Sequence, residues 1–234
     1  MAIGYNPFVT SNGLYLSLDA GNVKSYPGAG TTWTDMGLNR FAASMTAGVT
    51  YNSGNGGYLT FSSTNYATIS NIGNTLLTNP GSTSGITVSV WIYPTSTGAS
   101  QYVFSTSGGG NNQGVDLLLN DSGSIDYFNI ATSANRWNIS QNISEPLNTW
   151  INITMTCDFT TMRVYKNDSL FASTTANFPG TASSLTNLGI GGPNSVLNAY
   201  NFAGRIAVIY VYDRAISANE VSQNFNALRG RFGI

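Results

Sequence analysis

Leu14, Leu16 and Leu18 alternate with Tyr15 and Ser17, and this period of two predicts a strand ending at Asp19. The same period returns at Ile86, Val88, Val90 and Ile92, closed by Pro94, and again at Ile151, Ile153 and Met155. Residues 204–212 read differently. Ile206, Val208, Tyr210 and Tyr212 share one face, and Ala207, Ile209 and Val211 the other. A strand apolar on both faces belongs near the centre of a packed sheet. Shorter runs rich in β-branched and aromatic residues predict strands at 41–45, 58–61, 66–70, 101–106, 115–120, 124–130, 135–140, 162–166, 170–173 and 185–190. Turn formers separate them, among them Asn55-Gly56-Gly57, Asp121-Ser122-Gly123 and Asn167-Asp168.

One helix breaks the pattern. Ser217 caps the backbone of Glu220 while Glu220 reaches back, and Ile216 staples onto Val221. Val221, Phe225 and Leu228 share a helical face, and Gly230 is expected to end the run. Short strands followed by one short C-terminal helix predict an all-β, two-sheet sandwich or jelly roll. Residues 13–234 read as a single domain with no linker or repeat. Residues 1–12 read as an extended arm, because Pro7 and Thr10-Ser11-Asn12 oppose regular structure. Its Tyr5, Phe8 and Val9 are candidates for docking onto a partner subunit; an edge strand closing the sandwich is the alternative.

Composition narrows the function. Charged residues are 8% of the chain while hydrophobic residues are 41%, so solubility rests on Ser, Thr, Asn and Gly around a real core. A net charge of −1 offers no footprint for nucleic acid. No apolar run reaches membrane-helix length, so no membrane insertion is expected, and Met1 to Pro7 does not read as a signal peptide. The chain has no His, which excludes Ser–His–Asp and Cys–His catalysis and His-ligated zinc. Cys157 is the single cysteine, a small buried side chain in this reading.

Four stretches resemble a known family. They are residues 13–35 (GLYLSLDAGNVKSYPGAGTTWTD), residues 86–94 (ITVSVWIYP), Trp150-Ile-Asn-Ile-Thr-Met with Met162-Arg-Val-Tyr-Lys-Asn167, and the strand–helix tail 204–230. Their content and order resemble the concanavalin A-like (laminin-G-like) jelly roll found in virion proteins of tailed bacteriophages. The resemblance spans nearly the whole chain and implies that fold. It also departs in places: Met36-Gly-Leu-Asn-Arg40 and Ser62-Ser63 stand where the family often carries Asn-Gly-rich and Asp-Gly sequence, which weakens family-style calcium binding.

The jelly-roll glucanases of this fold use closely spaced glutamates, yet only Glu145 and Glu220 occur here, and Glu220 is assigned to the helix cap. Asp116 and Asp126 face one another only if the intervening loop sets that register, and a retaining glycosidase needs its carboxyls about 5 Å apart. Asp19 and Asp35 are the weak metal candidates, set against a role bracing the long first loop through backbone N–H groups. No cofactor is expected. Arg136 and Trp137, with Asn111 and Asn112 on the polar loop, have the planar and aromatic chemistry of a carbohydrate site; packing is the competing role for Trp137. The resemblance implies a non-catalytic phage protein on the virion surface, a capsid decoration or appendage, carried as a homo-oligomer against capsid or tail proteins. Weak binding to cell-surface or environmental polysaccharide is the added expectation. An extracellular lectin module is the alternative, and a glycoside hydrolase ranks below it.

Overall fold

A computed structural model describes residues 8–72, 85–96, 100–106, 114–119, 124–131, 136–139, 143–144, 147–175, 187–193 and 200–234. The strands are β1 (Leu14–Asp19), β2 (Thr32–Thr34), β3 (Ala42–Met45), β4 (Thr50–Asn52), β5 (Tyr58–Phe61), β6 (Ala67–Ser70), β7 (Ile86–Pro94), β8 (Gln101–Ser105) and β9 (Gly114–Leu119). They continue with β10 (Ser124–Ala131), β11 (Arg136–Ile139), β12 (Ile143–Ser144), β13 (Ile151–Cys157), β14 (Thr161–Lys166), β15 (Ser169–Thr175), β16 (Asn187–Ile190) and β17 (Gly204–Tyr212), before helix α1 (Ala218–Phe232).

Two antiparallel sheets form a sandwich. The first runs β15-β14-β13-β7-β17-β5-β4, with β1 also on β17; the second runs β11-β10-β9-β8-β16-β6-β3-β2, with β12 on β10. One apolar cluster joins their inner faces, with Leu16, Val90 and Ile209 from the first and Trp33, Phe104 and Leu117 from the second. β17 lies inside the first sheet, as its two apolar faces require: β7 flanks one edge, and β5 and β1 share the other. Cys157 is buried and free.

Part of the outer face of the first sheet is also covered, because α1 lies across it. Trp91, Trp150, Tyr210 and Tyr212 join Val221, Phe225 and Phe232 in a second buried cluster. Between β7 and β13 this face carries a satisfied polar network: Ser89 and Thr154 share a hydroxyl bond of 2.8 Å, and Asn152 Nδ2 donates to Ser89 Oγ and the Val90 carbonyl. Ser217 and Glu220 form the reciprocal capping box. The helix does not stop at Gly230, however. It runs to Phe232 and ends at Gly233, whose φ of 75° is the left-handed stop. A helical glycine costs about 1 kcal/mol. Beyond it, Phe232 stacks on Trp91 at 4.2 Å, and Arg231 donates to Asp19, Asn55 and Gly57, which outweighs that penalty.

Three strands escape the sequence reading: β2, β4 and β12. Each is two or three residues long, too short to show a period. Residues 8–12 form neither a free arm nor an edge strand. The Thr10 N–H donates to Asn224, its carbonyl accepts from the Tyr212 hydroxyl, and Gln223 donates to the Phe8 carbonyl, so this stretch lies along α1.

Candidate functional site

Carboxylates decide whether the sandwich can do acid–base chemistry, and the described ones that are buried or half-buried are held in structural bonds. Asp35, fully buried, accepts from the backbone N–H groups of Ser17 at 2.8 Å, Gly37 at 2.7 Å and Phe41 at 3.4 Å. Asp19 pairs with Arg231 at 2.7 Å and accepts from Gly21 N–H. These bonds brace the first loop, and among the described residues no group of three or more His, Cys, Asp or Glu side chains converges as a metal site. Asp116 accepts from the buried Ser105 hydroxyl at 2.7 Å, and its cross-strand partner on β10 is Asn129. Asp126 lies at the bulge between Ile125 and Tyr127, so the register does not set the two aspartates opposite one another. Glu220 is the cap, with Arg214 gripping both its oxygens. That guanidinium, with Ser217, holds its carboxyl down at about 2. Burial pushes the Cys157 thiol up to about 12, so it is not a nucleophile near neutrality.

The aromatic side chains fall into two groups. Trp33, Trp91 and Trp150 are core, as their place in the strand patterns implies. A second group sits where the outer face of the first sheet emerges near the C-terminal end of α1. Arg205 stands directly across from Tyr93 on β7 and from Thr60 on β5, and Thr60 stands across from Thr50 on β4. Directly opposed residues share a sheet face. The result is a row of Tyr93, Arg205, Thr60 and Thr50 across four neighbouring strands. The Arg205 guanidinium lies 4.2 Å from the Tyr93 ring centre and 4.8 Å from that of Tyr58. Trp150 meets both tyrosines edge-on, at 5.5 and 5.6 Å. Sequence reading passed over this group because register, not spacing, assembles it. The one available signal is that Arg205 is the sole charge in the apolar strand β17.

The sequence-derived candidates are not brought together with this row. Asn111, Asn112 and Tyr5 lie outside the described residues. Arg136 and Trp137 are on β11, in register with Ala131 and Ile130 of β10. Phe8 is 82% exposed, whereas Val9 packs against the α1 cluster and is committed within the chain. A shallow depression of about 410 Å³ near Ser11, Met36, Leu38 and Arg40 gathers no converging polar groups beyond Arg40 and Ser11. Of the Asn-x-Ser/Thr triplets, Asn152 is buried in the polar network, and Asn167 Oδ1 accepts from the Asn152 N–H at 3.1 Å. Among the described residues no helix is long and apolar enough to cross a membrane.

Solved structures share this architecture. A botulinum neurotoxin serotype D binding domain superposes with a TM-score of 0.67 at 15% identity, covering 91% of this chain and 51% of its own. The botulinum neurotoxin DC binding domain in complex with SialylT gives 0.63 at 16%, covering 92% and 52%. The chain thus spans about half the length of these toxin domains. Domain 4 of AbnA, an extracellular arabinanase of Geobacillus stearothermophilus in complex with arabinotriose, gives 0.67 at 16%, covering 90% of this chain and 97% of that domain. At such identities the likeness is one of fold. No curated protein sequence matches the chain. The family model described as concanavalin A-like lectin/glucanases superfamily matches residues 40–222, most of the sequence. With the sandwich, its strand order and the C-terminal helix agreeing with that match, the chain belongs to the concanavalin A-like lectin/glucanases superfamily.

Proposed function

We propose that this chain is a non-catalytic recognition module on the surface of a tailed-phage virion, a capsid decoration or appendage present in several copies, and that it binds polysaccharide. The observation that carries the non-catalytic reading is the state of the carboxylates. Asp19, Asp35, Asp116 and Glu220 are each engaged by structural donors, and the β9–β10 register sets Asn129, not Asp126, across from Asp116. The virion placement rests on the four-stretch resemblance and on the nearly uncharged, Ser/Thr/Asn-rich composition. Polysaccharide binding is supported by two fold neighbours whose structures hold arabinotriose and SialylT.

The test is to purify intact particles and quantify this chain in them, then locate its density by cryo-electron microscopy. Stoichiometric, ordered copies are the expected result. Absence from purified particles overturns the virion reading and favours an extracellular lectin module, in line with the arabinotriose bound in the arabinanase domain structure.

A further inference from the structure

Among the described cations with no hydrogen bond or ion pair to the protein, Lys24, Arg40 and Arg229 are exposed. Arg205 is half-buried. Arg163, Arg214 and Arg231 each have a carboxylate partner, and among the described residues Arg205 has none. Its charge is held instead by the rings of Tyr93 and Tyr58, at 4.2 and 4.8 Å. Aromatic rings stabilise a cation from the side they cover, but they do not accept the in-plane N–H groups of a guanidinium. A fixed, partly desolvated guanidinium with open N–H donors has the geometry that takes a planar oxyanion in two parallel bonds.

The surroundings say what would carry that anion. Thr60 and Thr50 continue the row from Arg205, and among the described residues nothing hydrogen-bonds their hydroxyls. Three inter-strand steps separate Tyr93 from Thr50, so the row spans ~14 Å. The row therefore presents, in sequence, a half-exposed tyrosine, one cation and two hydroxyls. Trp150, edge-on to both tyrosines and packed on Phe232 at 4.7 Å, fixes the aromatic end against the helix. We infer that this row is a binding site for a carboxylate-bearing glycan, with Arg205 as the anion contact, Thr60 and Thr50 as hydroxyl contacts and Tyr93 as the apolar flank. This rests on the polysaccharide-binding reading above and adds to it a location and a charge class. Arg205 is the specificity-determining residue: a neutral sugar loses the paired bonds, whereas a uronic or sialic acid keeps them.

Oligogalacturonate of three units, its methyl ester and a neutral galactose trimer are titrated by calorimetry, with tryptophan emission reporting on Trp150. The intact chain should bind the acid form about tenfold or more tightly than the ester, as expected when hydrogen bonds to a charged group are lost. Arg205→Gln should bring acid and ester to the same affinity, and Arg205→Lys, which keeps the charge without the fork, should fall between. Circular dichroism and melting of each variant confirm folding. If Arg205→Gln does not fold, Thr60→Val and Thr50→Val supply the test, since both positions face outward and should lower affinity for the trimer several-fold without touching the cation. Equal binding of acid and ester by the intact chain, with no effect of Arg205→Gln, overturns the site but leaves polysaccharide binding standing. Binding of none of the three, together with no retention on a broad glycan panel, overturns both. Displacement of the acid trimer by equimolar inorganic sulfate shows a bare anion site and overturns the glycan assignment.

Discussion

Phe232 is the strongest test of the view that α1 is an integral layer and not an appended tail. It is 4% exposed, stacks on Trp91 with ring centres 4.2 Å apart and 19° between planes, and meets Trp150 at 4.7 Å. Truncating a buried Phe to Ala costs about 3–5 kcal/mol. The low end applies here because the residue occupies the last helical turn, where the chain can relax, and Ala regains about 0.5 kcal/mol of helix propensity. Phe232→Ala should therefore destabilise by roughly 2.5 kcal/mol. For a chain of this length each kcal/mol lowers the melting temperature by about 2–4 °C, giving a drop of about 5–10 °C. Thermal and urea unfolding, followed by both circular dichroism and tryptophan emission, make the measurement. The native emission should also shift to the red as Trp91 and Trp150 lose their cover. Two results refute the reasoning: a melting temperature within about 2 °C of the parent with unchanged emission, or red-shifted emission with an unchanged midpoint. The second would show α1 peeling off as an independent unit.

Three further predictions follow from individual side chains. Asp35→Ala removes the acceptor of three N–H groups around a fully buried position and should cost about 3 kcal/mol in urea unfolding, since each orphaned buried donor costs about 1–3 kcal/mol. The Arg214 guanidinium holds the Glu220 carboxyl down at about 2 in the folded chain, against an ordinary 4.5, so its stabilisation is complete above pH ~4.5 and disappears as the pH falls towards 2. The full shift would correspond to about 3 kcal/mol; with a quarter of the side chain exposed, screening should reduce this to about 1–2 kcal/mol, and Glu220→Gln should flatten that acid limb of the stability profile. Cys157, buried with its thiol raised to about 12, should resist a neutral-pH thiol reagent until the protein unfolds, and rapid labelling of native protein would contradict its placement.

What was legible in the sequence was whatever had a period or a cap. The alternation at residues 86–94 predicts β7 to the residue, and Ser217 with Glu220 predicts the capping box that forms. The two apolar faces of β17 announced its interior position. The end of α1 was misread because a local rule, glycine as terminator, lost to tertiary contacts of Arg231 and Phe232 with residues far away in the chain. The path of residues 8–12 was equally out of reach, since its partners Asn224, Tyr212 and Gln223 are some two hundred residues distant. The row around Arg205 fails to show for the same reason. Tyr93, Thr60 and Arg205 become neighbours through pairing across β7, β5 and β17, and no spacing in the chain records that.

The position of β17 bears on how the protein is made. Its neighbours β7, β5 and β1 all precede it, β1 by nearly the full length of the chain, and it fills the gap between β7 on one side and β5 and β1 on the other. During synthesis those strands leave the ribosome first and wait with hydrogen-bonding edges unpaired and apolar inner faces open. The first sheet cannot close until β17 has emerged. Such late, long-range pairing makes for slow maturation and leaves nascent chains prone to aggregate. A ribosome-stalled chain lacking β17 and α1 should therefore engage chaperones, whereas release of the last strand and helix should convert it cooperatively into the finished sandwich.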